Sequence, residues 1–512
     1  MSFRKAILVN PPNPPGFVSN KDSMGGFGQL FHAGAAPFPP LDLPYLAAVV
    51  GEHGFAVSVI EAGALRLSLD ETVAAVASAG AGGDTLVLLR TSLPTLDWDL
   101  EVAAELRRQV GPGGLGLYGP VLASVLARVQ RDTVIDVAVM GEPDLTVLAL
   151  LRGDAPEGIE GLAYRRDGEW RRNPERRFQR DLDEIPFPRW DLLPHHQYRI
   201  PRSAAAGTMR FLPMLTSRGC PFGCNYCPYP VGQGLKWRYR SATNVVDEME
   251  HLVRDFGVEY IIFRDPLFSA NKKRVAEICE EVVRRGVTVQ WRCETRIDCL
   301  DAPTIALMAR AGCTGVNFGV ESVDPQIQKN VERKPIGRAQ FAETIGLLHQ
   351  HRIATFAFFI VGLPGDTVGF ALDIEPTWTQ FTVSTPFIGT KLHDWAVGHG
   401  LIARDHYQII SSHEGSMGNE NLTPAQVHQL HRFAQILARN LINRRGLLKS
   451  ERRHDLPYRL ARGTASAVSV RLARAAYALA RVYFRRRFGP PRPPAPSMTA
   501  TGQSASTAGA AP

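Results

Sequence analysis

This chain of 512 residues predicts an α/β fold in two units, and three observations carry the prediction. Short apolar runs of strand type alternate with helical stretches over residues 5–152. The alternation resumes over residues 211–390. Between the two lies a proline-stiffened segment with a hairpin signal. With 45% hydrophobic residues, a chain of this length buries more than one core.

In the first unit, Ala6–Val9, Ala56–Ile60, Thr85–Leu89, Leu115–Tyr118 and Val137–Met140 are apolar runs of buried parallel-strand type. Leu43–His53 and Leu100–Val110 are helical stretches between them. Five such strands make a doubly wound, Rossmann-like sheet, whose ligands sit at the carboxyl ends of the strands. Those ends carry Asn10-Pro11-Pro12, Arg90-Thr91-Ser92, Tyr118-Gly119-Pro120 and Gly141-Glu142-Pro143-Asp144. Gly119 and Gly141 have no side chain, which permits a large flat ligand to approach the backbone. Tight strand-to-helix turns would need the same two glycines, and on the residues alone that is the favoured reading.

The connector opens with Gly161–Tyr164 and Glu169–Arg171 around Asp167-Gly168, a hairpin signal. Asp183–Asp191 follows as a crossing segment stiffened by Pro186 and Pro188. Beyond it come a strand ending near Thr216, a helix over Val245–Phe256, a strand over Tyr260–Phe263 and a helix over Lys272–Arg285. The pattern continues through six strands, which predicts a partial, open (β/α)6 barrel of TIM type with its chemistry at the carboxyl face. After Gly365-Asp366-Thr367, the stretch 368–381 leaves room only for a short helix interrupted by Pro376.

Cys220-Pro221-Phe222-Gly223-Cys224-Asn225-Tyr226-Cys227-Pro228 carries the chemistry. Three thiols spaced in this way let one loop wrap three corners of an iron–sulfur cube. Four cysteines would saturate a four-iron cluster, so three leave one iron open to a ligand. A zinc site wants two pairs of close ligands, and no second pair follows. Cys279, Cys293, Cys299 and Cys313 are scattered through apolar, periodic sequence and read as small buried hydrophobes. Seven cysteines in 512 residues, with no secretory signal at the start, argue against a disulfide framework and for a reducing, cytoplasmic setting. No run of eighteen apolar residues spans a membrane.

The cysteine loop, with an aromatic before its third Cys, resembles that of the radical S-adenosylmethionine (SAM) superfamily. The resemblance continues through Ile261–Phe268, Trp291–Arg296, Gly315–Ser322 and Phe359–Thr367. It is to the subgroup with an N-terminal cobalamin (B12)-binding domain, and it covers most of residues 1–395. It implies a [4Fe-4S] cluster on Cys220, Cys224 and Cys227, with SAM on the open iron. Tyr226, Asp265, Arg292, Glu294, Arg296 and Glu321 are the SAM-binding candidates, Asp265 and Glu321 foremost because they occupy matched positions. The same charged residues could instead pair as structural ions across the barrel mouth. Cobalamin would lie on Thr91, Ser92, Tyr118, Gly119, Gly141 and Glu142. The chain departs from many cobalamin proteins in lacking Asp-x-His-x-x-Gly, since His32 and His53 stand in other contexts. The lower face of the cobalt is therefore expected to lack a histidine ligand.

The implied reaction is reductive cleavage of SAM to a 5′-deoxyadenosyl radical, with an electron donor such as flavodoxin or ferredoxin. The expected outcome is methylation of an unactivated carbon or phosphorus on a secondary-metabolite, sugar-like or lipid substrate. The alternatives are a radical SAM cyclase or rearrangement enzyme with a structural B12 domain, and a non-catalytic iron–sulfur sensor. No second cysteine triad precedes residue 220, which disfavours a methylthiotransferase.

The resulting organisation is a cobalamin-binding domain over 1–155, a connector with hairpin over 156–205 and a barrel over 206–395. A helical region over 396–450 and a basic amphipathic helix with a disordered tail over 451–512 complete it. That last segment holds a net +9, against +8 for the whole chain, so the rest is near neutral. Val468, Leu472, Leu479 and Val482 recur at helical spacing while Arg471, Arg474, Arg481 and Arg485 take another face. Besides a solvated helix, this predicts peripheral attachment to an anionic membrane surface at the inner face, lost on deleting 451–512. Nucleic acid is not expected as a partner, because aromatic interleaving is thin.

Overall fold

The computed structural model describes residues 3–201, 207–362, 376–402 and 423–437, together with Ala371, Ile374 and Met417. The basic segment 451–512 and Gly365-Asp366-Thr367 lie outside the described residues. Among the described residues, no helix is long and apolar enough to cross a membrane.

The first sheet is built on β1 (Lys5–Asn10), β4 (Ala56–Glu61), β5 (Thr85–Arg90), β6 (Gly114–Gly119) and β7 (Val137–Met140). The small ribbon of β2 (Phe17–Asn20) and β3 (Gln29–His32) stands apart from it. The five parallel strands run in the order β4-β1-β5-β6-β7, so the connection reverses between β1 and β5. In doubly wound sheets such a reversal opens a crevice at the carboxyl edge. Apolar residues on both faces are buried, as helices on each side require: Ile7, Val9, Leu89 and Leu117 in one layer, Ala6, Leu8, Leu86 and Leu88 in the other. Predicted helix 43–53 is found at Asp42–Glu52, and helix 100–110 begins one turn earlier at Leu96.

The predicted hairpin forms as β8 (Leu162–Arg166) and β9 (Glu169–Arg172), and Asp167 and Gly168 both take positive φ. Its strands pair antiparallel onto β7 and extend the first sheet to seven strands. Hairpin and first unit are thus one hydrogen-bonded layer.

The second sheet runs β10 (Arg199–Pro201), β11 (Thr208–Met214), β14 (Tyr260–Phe263), β15 (Gln290–Thr295), β16 (Cys313–Glu321), β17 (Ala354–Val361) and β18 (Trp378–Val383). From β11 onward all neighbours are parallel, which makes the six-stranded partial barrel. Between β11 and the helix Ala242–Phe256 comes a short ribbon, β12 (Ser217–Arg218) with β13 (Arg238–Tyr239). The helix Ala242–Phe256 is capped by Ser241, whose side chain accepts from the Asn244 N–H, and Gly257 ends it in the left-handed region. Cys279, Cys293 and Cys313 are buried as expected, whereas Cys299 is half-buried.

Candidate functional site

Residues 219–237 form a loop closed at its neck by the β12–β13 ribbon, and the three cysteines lie on it. Main-chain bonds pin its course: Cys220 N–H donates to the Gly234 carbonyl (3.1 Å) and Cys227 N–H to the Cys224 carbonyl (3.0 Å). Asn225 anchors the middle, its main-chain N–H on Val331 O (3.2 Å) and its Nδ2 on Asn330 O (3.0 Å). Cys220, Cys224 and Cys227 are free and half-buried. Burial pushes each thiol up, and at Cys227 the neighbouring Cys224 and Cys220 add to the shift. A cationic iron cluster reverses that penalty by taking the sulfurs as thiolates. Among the described residues no three metal-binding side chains gather as they would round a single ion. Thiols spread over one loop fit a cube, where each sulfur takes a different iron.

Three of the SAM candidates are brought to this loop. Glu321 takes φ +62° at the end of β16, and its carboxyl is raised by burial against the pull of Arg333. Arg333 Nη1 reaches Tyr226 Oη at 3.1 Å and Glu321 Oε1 at 3.4 Å, while Nη2 donates to the Gly319 carbonyl. Arg296 lies 4.2 Å above the Phe222 ring of the loop and pairs with Asp298 at 2.9 Å. Arg333 belongs to this group although no motif marks it. Only its place, three residues beyond Asn330, hints at the turn that returns to the loop.

The other candidates are placed differently. Glu294 accepts from Arg264, so the cross-strand ion pair at the mouth joins β15 to the end of β14. Arg292 lies over the Phe356 ring at 5.4 Å, and Tyr260, at the start of β14, bears on its charge. Asp265 lies deeper. It is fully buried and accepts from the Thr216 N–H (2.7 Å), Thr216 Oγ1 and Ser217 Oγ (2.6 Å). Its carboxylate fixes the turn that launches the cysteine loop.

At the first sheet the charged side chains are paired. Arg90 is 1% exposed and reaches Asp22 (2.8 Å) and Asp42 (2.9 Å), and burial pushes the Asp42 carboxyl up to about 6. Lys21 donates to Asp99 at 2.8 Å and to the Arg90 carbonyl at 2.6 Å. Glu61 accepts from Asn10 Nδ2 (2.9 Å) and the Ala64 N–H (2.8 Å), and burial pushes it up to about 7.

A cleft opens between the two sheets. Asp42, Arg90, Pro120 and Gly141–Asp144 line it from the first sheet's side, and Leu215, Arg218, Tyr229 and Arg264 from the barrel. Gly141 takes φ +71°, and no atom lies within 4 Å of where its Cβ would be, so the backbone is open to a flat ligand there. Thr91, Ser92, Tyr118 and Gly119 are buried and do not line this cleft. Ser92 Oγ meets Thr95 Oγ1 at 2.9 Å, and a Cβ on Gly119 would stand 2.7 Å from the Thr91 carbonyl. Close strand-end packing explains Gly119; open space explains Gly141. His32 and His53 stay off the cleft.

The segment Met24–Gly28 was not singled out by its sequence. Met24, Gly25, Gly26 and Gly28 all take positive φ, and the turn wedges between the Ser92 and Pro120 loops and Tyr229. Side chains at Gly25 and Gly26 would stand 3.0 Å from Tyr229 and 2.6 Å from Pro120. The Gly-Gly-Phe-Gly run was the available signal.

Residues 214–370 match the Radical SAM superfamily. An uncharacterized methyltransferase of Pyrococcus horikoshii is 29% identical over 85% of this chain and 92% of its own length. The anaerobic magnesium-protoporphyrin IX monomethyl ester cyclase of Cereibacter sphaeroides is 28% identical over 60% of this chain and 52% of its own. Among solved structures, the radical SAM methyltransferase TsrM of Kitasatospora setae, with cobalamin and a [4Fe-4S] cluster bound, superposes with a TM-score of 0.59. That match covers 75% of each chain at 19% identity, a likeness of fold.

Proposed function

We propose that this chain, a member of the radical SAM superfamily, is a cobalamin-dependent methyltransferase that uses a [4Fe-4S] cluster and SAM. The observation that carries the reading is the shared cleft: the open carboxyl edge at Gly141 lines it together with Arg218 and Tyr229, which precede and follow the three cysteines along the chain. A methyl carrier on the first sheet would thus stand across one cleft from the segment that carries the cluster ligands. When bound, the cluster with SAM supplies a 5′-deoxyadenosyl radical, and cobalamin carries the methyl group.

The chain's own residues hold and orient. Cys220, Cys224 and Cys227 would ligate the cluster, and Asn225 and Asp265 keep their loop in shape. Glu321, Arg333 and Tyr226 form a hydrogen-bonded group beside the loop, suited to the amino and carboxylate groups of SAM. The open backbone at Gly141 would take the face or edge of the corrin. Methyl transfer is preferred to cyclisation because the methyltransferase relative matches over 92% of its length, the cyclase over 52%.

Protein purified with added cobalamin and reconstituted anaerobically should show the visible spectra of both cofactors. With SAM and reductant it should release S-adenosylhomocysteine as well as 5′-deoxyadenosine. A protein that takes up the cluster but neither cobalamin nor SAM would refute the reading.

A further inference from the structure

Arg218 and Arg238 stand directly opposite each other in the β12–β13 ribbon, at the neck of the cysteine loop. Two guanidinium groups in register repel, and like charges directly opposed destabilise a strand pair. Both are drawn to carboxylates of the other unit, and Glu142 is the one they share. Arg238 grips Glu142 with two bonds, Nη2 to Oε1 at 2.8 Å and Nη1 to Oε2 at 3.1 Å. Arg218 Nη1 lies 3.4 Å from Glu142 Oε1 and 3.4 Å from Asp144 Oδ2. The side chains are 3% exposed for Arg238, 11% for Arg218 and 13% for Glu142, so solvent screens these pairs little.

Arg238 also ties the loop to itself. Its Nη2 donates to the Gln233 carbonyl at 3.1 Å, and Gln233 Oε1 accepts from the Gly219 N–H at 3.2 Å, next to Cys220. On the other side, Glu142 follows Gly141 directly, and both line the cleft. The Gln179 N–H, in the connector, also donates to Glu142 at 3.3 Å. A continuous series of bonded groups thus runs from the open backbone at Gly141, through Glu142, to the neck of the three-cysteine loop.

We propose that Glu142 is a positioning residue that couples occupancy of the cleft to the shape of the cysteine loop, by bridging the paired arginines at its neck while Asp144 supplies the second charge. The inference rests on the reading of the cleft as a cobalamin site. It replaces the expected role of Glu142 as a direct cobalamin ligand. Coupling of this kind is reciprocal, so the state of the loop must alter affinity at the cleft by the same factor as the cleft alters the loop.

The test is titration of full-length protein with hydroxocobalamin, followed by protein fluorescence, with and without the reconstituted cluster. Wild type is expected to show Kd values differing by about fivefold or more between the two forms. In E142Q, which keeps the shape and removes the charge, the ratio should fall to about one while iron content and far-UV circular dichroism stay unchanged. E142D, which restores the charge, should recover part of the ratio. A merely structural Glu142 would weaken binding in both forms alike and leave their ratio alone. Equal Kd values in wild type, or an undiminished ratio in E142Q, would overturn the proposal and leave the functional reading standing. Absence of cobalamin binding in either form would overturn both. If E142Q does not fold, R218Q is the second variant, because it leaves the two-bond Arg238–Glu142 grip in place. A reduced ratio in R218Q supports the coupling, and an undiminished one overturns it.

Discussion

At the carboxyl edge of the first sheet the charged side chains pair with one another, Arg90 with Asp22 and Asp42 and Lys21 with Asp99. At the same edge of the barrel, three free thiols stand half-buried on one loop beside Glu321 and Arg333. Both are the carboxyl edges of parallel strands, yet they are equipped in opposite ways. A metal cluster needs donors, so its site is a set of particular residues at particular spacings. A large flat ligand needs close approach to the backbone, so the feature that would admit it is a missing side chain, as at Gly141.

Removing a donor should break the comparison most completely. C224A is expected to lose the cluster, read as iron content and visible absorbance, and with it all detectable cleavage of SAM. The first sheet has no residue whose loss should be as absolute. Next comes D265A, which leaves the buried Thr216 and Ser217 donors without an acceptor. It is expected to cost about 3 kcal/mol or more in urea unfolding. A loss of SAM binding with stability intact would place Asp265 among the ligands.

E61Q probes the first sheet's buried carboxylate. Folding raises the Glu61 pKa from 4.5 to about 7, so over that window the folded protein holds a proton that the unfolded chain has released. Its contribution is therefore fully present below pH 4.5 and is lost as pH rises through 7. Wild type minus E61Q should show a decline on the order of 1–3 kcal/mol across that range in denaturation curves. A flat difference would mean that Glu61 is ionised in the fold.

The smallest effects separate the two glycines. G119A forces a carbon against the Thr91 carbonyl and is expected to destabilise by about 1–3 kcal/mol. G141A meets open space and only the strain of a positive φ, about 1 kcal/mol. Its larger consequence should be weaker uptake of cobalamin, measured by absorbance. Equal binding by G141A and wild type would remove Gly141 from the site.

How far the site was legible follows the same division. The loop Cys220–Cys227 could be read at once, because few other structures use that spacing, and Glu321 followed from its segment. Arg333 could not, since an arginine in a turn has no pattern until the chain brings it 3.1 Å from Tyr226. Thr91, Ser92 and Tyr118 were expected at the ligand because strand ends bind ligands. Their burial, at Ser92 against the Met24–Gly28 turn, is a tertiary fact that no strand end discloses. The hairpin at Asp167-Gly168 was legible as a turn, but its pairing onto β7 was not, because an exposed strand edge accepts partners that sequence distance does not name.

By itself the sequence determined what depends on local periodicity and residue identity: the alternating strands and helices of both units, the six parallel strands of the barrel and the three thiols. Those properties are set within a few residues along the chain, by side-chain alternation, turn chemistry and donor type. The tertiary structure alone decided which charges face which. It spent Arg90 and Asp265 on the fold, set Arg333 beside the cysteine loop, and joined Glu142 to two arginines ninety-six and seventy-six positions away. Such pairings form only when separate elements pack, and burial then fixes whether a charge serves a ligand or the protein itself.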